Sequence, residues 1–223
     1  MATIPAAALI VVVHSRELVM TPELLLAFFA FAFVTSITPG PNNMMLLASG
    51  VNFGLRRSVP HMLGISLGFM VLVICVGLGL GQLFEQLPVL YTLLRYLGAA
   101  YLLYLAWKIA GSGAPDSTGG ERGKPFTFLQ AAAFQWVNPK AWVMAIGAIA
   151  TYTPQENFLV NVLLIAALFA VVGGPCVGLW TVAGSLLRNW LRNATVLRVF
   201  NIGMAVLLVV SLYPILADIK GVL

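Results

Sequence analysis

The chain has 223 residues, 61% hydrophobic and only 9% charged, with a mean hydropathy of +0.98. A soluble domain carries roughly a quarter charged residues, and an outer-membrane barrel would alternate in strands of about 10 residues. Recurring apolar runs of about 20 residues instead define an all-α integral membrane protein.

The net charge of +5 comes from 12 Lys+Arg against 7 Asp+Glu. The basic residues fall in short connections, where they set orientation and do not call for a nucleic-acid partner. Residues 1–19 hold an apolar run, AAALIVVV, too short to span and without the basic region that opens a signal peptide. Met20-Thr-Pro-Glu reads as a start followed by a helix N-terminus. Residues 1–19 are therefore taken as an N-terminal extension of doubtful role, with no function assigned.

Six spans are predicted, at about 24–51, 62–83, 90–109, 126–152, 158–182 and 198–216. The first is interrupted by TPGPNN. Pro39 and Pro41 remove backbone donors and open the helix near mid-membrane, around Gly40. The freed groups must face protein or a wet cavity, because lipid leaves each unsatisfied at several kcal/mol. Asn42 and Asn43 can satisfy them or contact a ligand. A helix resuming at Asn42 points its positive end at the break, which suits a carboxylate. A packed proline kink is the structural alternative.

Arg56 and Arg57 follow the first span, and His61 stands at the entry to the second. Histidine changes charge near physiological pH, so His61 is either a proton-coupling group or an interface side chain. The third span opens with Leu94-Arg95, where the arginine can snorkel to the outer interface. Residues 111–125, GSGAPDSTGGERGKP, form a Gly/Ser/Pro linker. It separates a first three-helix repeat, residues 20–110, from a second, residues 126–223.

The fourth span contains FQWVNPKAW. Lys140 is the only charge deep in a span, at a cost of ~3 kcal/mol at the bilayer centre. All seven acids lie at ends or in connections, so a buried lysine without a resident partner suits an anion brought from outside. Snorkelling is the alternative. Asn138 and Pro139 make this a second break, and Trp136 or Trp142 is expected to line a cavity beside it. Gly173-Gly174-Pro175 can loosen the fifth span. Cys75 and Cys176 read as packing residues. Gly50/Gly54, Gly64/Gly68, Gly77/Gly81 and Gly174/Gly178 share the GxxxG spacing of close helix contacts. A homodimer through such a face is left open.

Pro39 and Pro139 stand 100 residues apart, and Leu94-Arg95 matches Leu197-Arg198 at 103. An odd number of spans per half inverts the second copy, so the halves read as an inverted-topology repeat with discontinuous helices 1 and 4. The connections after spans two and four carry Glu85 and Glu156 and no Lys or Arg. The basic first, third and fifth connections are thus predicted cytoplasmic, with both termini outside. Zinc-protease, serine-hydrolase and Cys/His metal spacings are missing, so no enzyme, cofactor or metal is expected.

Three stretches, MTPELLLAFFAFAFVTSITPGPNNMMLLASGVNFGLRRSVPHMLGISLGF, LRYLGAAYLLYLAWKI and FQWVNPKAW, carry a resemblance. From Met20 onward the chain resembles the lysine-exporter superfamily of amino-acid translocators, particularly its homoserine/threonine-exporter branch. The resemblance implies a multi-pass protein of the bacterial inner membrane that exports amino acids or related small metabolites, driven by the proton gradient. The expected site lies between the breaks and comprises Pro39, Gly40, Pro41, Asn42, Asn43, Asn138, Pro139 and Lys140. A passive pore or a non-transporting scaffold is the competing reading.

Overall fold

The computed structural model describes residues 20–112, 123–191 and 193–213. The extension 1–19, most of the 111–125 linker and the end of the second repeat lie outside the described residues. Everything described is helix and connection, with no strand among the described residues.

Helix α1, Pro22–Ile37, starts where the sequence predicts. Thr21 caps it by accepting from the Leu24 amide, Pro22 takes a first-turn position and Glu23 favours the positive helix end. It stops before Pro39, and α2, Pro41–Phe53, resumes at a bend of 54°. Gly54, at φ 79°, turns the chain within a single residue into α3, Leu55–Cys75. The second span therefore begins well before residue 62. The prediction missed this because only a positive-φ glycine lets one residue serve as the whole connection. A kinked segment, Val76–Leu80, with Gly79 outside the helical region at φ 102°, leads to the short α4, Gly81–Gln86. Helix α5 follows, Pro88–Ala110.

In the second half, α6, Phe128–Gln135, opens on a reciprocal capping box between Thr127 and Gln130. It ends before the second break, and α7, Pro139–Tyr152, resumes under an Asn138 cap. Helix α8, Phe158–Leu187, runs unbroken through Gly173-Gly174-Pro175, and α9, Ala194–Val210, is capped by Asn193. By length and apolarity, Leu55–Leu80 and Phe158–Leu187 can each cross a membrane, and α1 with α2 can do so as one bent span. Leu26, Trp107, Val171, Leu186 and Val199 project outward, the surface of a bundle that faces lipid.

Small residues decide which helices meet. A Cβ on Gly50 of α2 would strike the Thr181 carbonyl of α8, and one on Gly184 would strike that of Leu47. Gly64 and Gly68 let α3 lie against Phe128, Ala131 and Ala132 of α6. Each broken pair thus packs on the unbroken helix of the other half, α3 packs on α8, and α5 on α9. Exchanging the halves preserves that pattern. Gly174, by contrast, has nothing within 4 Å of an added Cβ.

The basic connections gather at one end. A Cβ on Gly54 would lie 3.2 Å from the Arg188 guanidinium, and one on Gly123 would lie 3.7 Å from the Phe53 ring. There Asn52 and Asn201 exchange two hydrogen bonds, at 2.7 and 2.9 Å, and Asn201 also donates to Ser112 O at 2.7 Å. Met20, Leu80 and Tyr152 share the other main cluster, where Phe28 meets Tyr152 and Phe169 edge-on at 5.6 and 5.0 Å.

Candidate functional site: a cavity between two helix breaks

Two prolines and a glycine leave a run of carbonyls outside any helical ladder, and each must find a donor. Val34 O receives the Thr38 amide, and Thr35 O the Thr38 hydroxyl at 3.1 Å. Asn43 Nδ2 donates to Ser36 O at 2.9 Å and Thr38 O at 2.8 Å. Trp180 Nε1 reaches from α8 to Ile37 O at 3.0 Å. Gly40 O takes the Met44 amide. The remaining donor crosses from the other half: Lys140 Nζ meets Thr38 O at 2.8 Å, Thr38 Oγ1 at 2.9 Å and Pro39 O at 3.4 Å. Every carbonyl from Val34 to Gly40 is satisfied.

The second break repeats the device. Trp142 Nε1 donates to Trp136 O at 2.8 Å, as Asn43 does to Ser36 O, 100 residues earlier. The helix starts differ. Asn138 Oδ1 accepts the Lys140 amide at 3.2 Å and so caps α7. Gly40, at the same place before α2, offers no side-chain cap. The first amides of α2 have no intrahelical acceptor and open beside the lysine.

Between the breaks lies a cavity of about 60 Å³. Gly40, Asn42, Asn43, Asn138 and Lys140 line it as expected. Pro39, Pro41 and Pro139 shape the breaks without lining it. Lys140 is half-buried and passes so close to Gly40 that a Cβ there would lie 2.9 Å from its Cδ. No Asp or Glu lines the cavity among the described residues.

The sequence reading missed the other walls. Thr35, Ser36, Ser66 and Gln135 supply polar atoms, while Ile65, Phe69, Met144, Phe169 and Val177 supply an apolar side. Gln135 is fully buried, and it exchanges hydrogen bonds of 2.8 and 3.1 Å with Asn42. Its place inside FQWVNPK, as a polar side chain next to a break, was the available signal. The expectation that Trp136 or Trp142 lines the cavity is not met: neither does, because the Trp142 indole is turned to the Trp136 carbonyl. His61 lies outside this cavity, fully buried, with its ring 5.0 Å from that of Phe126.

A chamber with one polar and one apolar wall between broken helices, inside a bundle whose outer face is apolar, belongs to the class of multi-pass membrane translocators. The LysE type translocator family matches residues 33–211, and the chain belongs to that family. It is a translocator and not an enzyme. Similar proteins include the cysteine/O-acetylserine efflux proteins of Salmonella choleraesuis (strain SC-B67), Salmonella typhimurium (strain LT2) and Escherichia coli (strain K12). Each is 38% identical over 195 residues, which cover 85% of this chain and 96% of the relative. No solved structure matches.

Proposed function

We propose that the protein is a secondary transporter that exports small, uncharged-side-chain amino acids or related metabolites, of the cysteine and O-acetylserine kind, from the bacterial cytoplasm. It sits in the inner membrane as six spans in two inverted three-helix repeats, with the basic connections cytoplasmic and both termini outside. The homoserine/threonine-exporter resemblance of the chain from Met20 onward belongs to the same substrate range.

The observation that carries the reading is Lys140, which bridges the two breaks from inside a cavity lined by no acid among the described residues. A substrate carboxylate takes the place of the Thr38 and Pro39 oxygens on Nζ and meets the uncapped α2 amides beside it. The apolar side receives the substrate side chain. Inward proton movement drives export, with His61 as the coupling group. Both its ring nitrogens are buried without a hydrogen-bond partner, so taking a proton requires a conformation that brings water or a donor to the ring.

Counterflow in proteoliposomes tests this. Wild type is expected to exchange labelled for unlabelled cysteine, and Lys140→Ala to lose about tenfold or more, as loss of a hydrogen bond to a charged group implies. In His61→Asn, the ratio of acid-driven to exchange flux is expected to fall. No exchange by wild type is the scaffold result, and unsaturable flux is the pore result. Normal exchange by Lys140→Ala removes the carboxylate site, and an unchanged flux ratio removes His61 from coupling.

A further inference from the structure

The charge balance of the cavity leaves a question. An amino acid carries an ammonium as well as a carboxylate, and removing it from water without a partner is expensive. No carboxylate side chain lines the cavity among the described residues, so neutral oxygens must hold the ammonium. The hydroxyl of Thr35 already donates to Phe31 O at 2.6 Å. Asn43 spends its Nδ2 on the Ser36 and Thr38 carbonyls, and Asn138 Oδ1 already accepts the Lys140 amide.

The Asn42–Gln135 amide pair sets two side-chain oxygens of this kind together across the seam between the halves. Its orientation is fixed from one end. Gln135 Nε2 donates to Ala131 O at 2.9 Å, and a carbonyl can only accept, so Oε1 must be the atom that faces Asn42 Nδ2. That contact in turn sets Asn42 Oδ1 against Gln135 Nε2. Both hydrogens of Gln135 Nε2 are then used. Each amide oxygen keeps a second lone pair, and both residues line the cavity. Lys140 is close: it packs on Gly40, two residues before Asn42. The chamber thus offers a cation from Lys140 and paired carbonyl oxygens from Asn42 and Gln135 in its walls. Repulsion from Lys140 orients a zwitterion the same way.

We propose that the Asn42–Gln135 pair is the ammonium subsite of the cavity, with Gln135 as a substrate-binding residue. The inference rests on the transport reading above.

The test compares cysteine with 3-mercaptopropionate, which keeps the carboxylate and thiol but lacks the ammonium, as competitors of labelled cysteine counterflow in reducing buffer. Wild type is expected to prefer cysteine by about tenfold or more. Gln135→Leu is expected to erase most of that preference while binding 3-mercaptopropionate within a few-fold of wild type, which also reports an intact fold. Asn42→Ala leaves Gln135 anchored on Ala131 and is expected to lose part of the preference. An undiminished preference in either variant overturns the proposal. So does loss of both probes in both variants, because the amides would then hold the helices and not the substrate. Failure of wild type to exchange cysteine at all is a different result and sinks the transport reading itself.

Discussion

Lys140 can reach Thr38 only because residue 40 has no side chain. Gly40 is extended, at φ −177°, so its backbone would accept any residue. The constraint is space, since an added Cβ would lie 2.9 Å from Lys140 Cδ and 3.2 Å from Nζ. The lysine is flexible and can swing aside, so Gly40→Ala is expected to leave the melting temperature within a few degrees. The swing takes Nζ off the Thr38 oxygens, and counterflow is expected to fall about tenfold, the equivalent of ~1.4 kcal/mol. A variant that transports normally shows that the position of Nζ beside the first break is unimportant. Residues of this kind divide by how local their chemistry is. Pro39, Pro41 and Pro139 announce the breaks because a missing N–H is a covalent fact, and Lys140 stands out because charge in lipid is costly. Gln135 and Trp180 act across long sequence separations, on an amide and a carbonyl that nothing nearby in the chain specifies.

Helix contacts make the same point about glycine spacing. The GxxxG pairs look alike in the sequence but differ in the fold. Gly50, Gly64 and Gly68 touch the backbone of a neighbouring helix, Gly54 serves as a turn, and Gly174 faces open space. Gly50→Ala would push α2 from α8 and is expected to cost about 1–3 kcal/mol, the range for overpacking. Gly174→Ala meets no neighbouring helix, and its helix-propensity gain is opposed by Pro175 behind it, so stability is expected to change by less than ~1 kcal/mol. Thermal melts in detergent check both. Equal effects would mean that the α2–α8 crossing is looser than its geometry. The sequence pattern supplied the candidates, but which ones pack depends on the neighbour that each helix acquires. The early start of α3 was hidden for a related reason. Pro60 and two arginines read as connection, and the left-handed turn at Gly54 that makes them helix is a backbone conformation, not a composition.

For the whole molecule, the proposed orientation rests on where the basic residues lie. Arg57, Lys108, Lys124 and Arg188 come to one end of the bundle, where the Asn52–Asn201–Ser112 network ties α2, α9 and the end of α5 together. With Cys75 and Cys176 replaced, Arg57→Cys and Arg188→Cys are expected to react with a membrane-impermeant maleimide from the cytoplasmic side alone. Glu156→Cys is expected to react from outside alone. The reverse pattern would invert the proposed orientation. Helical character, the two breaks and their spacing were readable from apolar run length and proline position. The walls of the cavity were not, because Phe169 or Met144 looks like any other membrane residue until the helices are assembled.

The hold of Thr38 and Pro39 on Lys140 also bears on leakage. A carrier of metabolites works among a large excess of chloride and phosphate, and a bare ammonium in its chamber would attract them. Here Nζ already has three oxygen contacts, so a monatomic anion has to displace carbonyls and a hydroxyl and replaces them with a single contact. A carboxylate brings two oxygens and, beside it, an ammonium of its own. On the proposed transport reading, the break in the first helix is an internal competitor, setting a threshold that chloride fails and an amino acid passes.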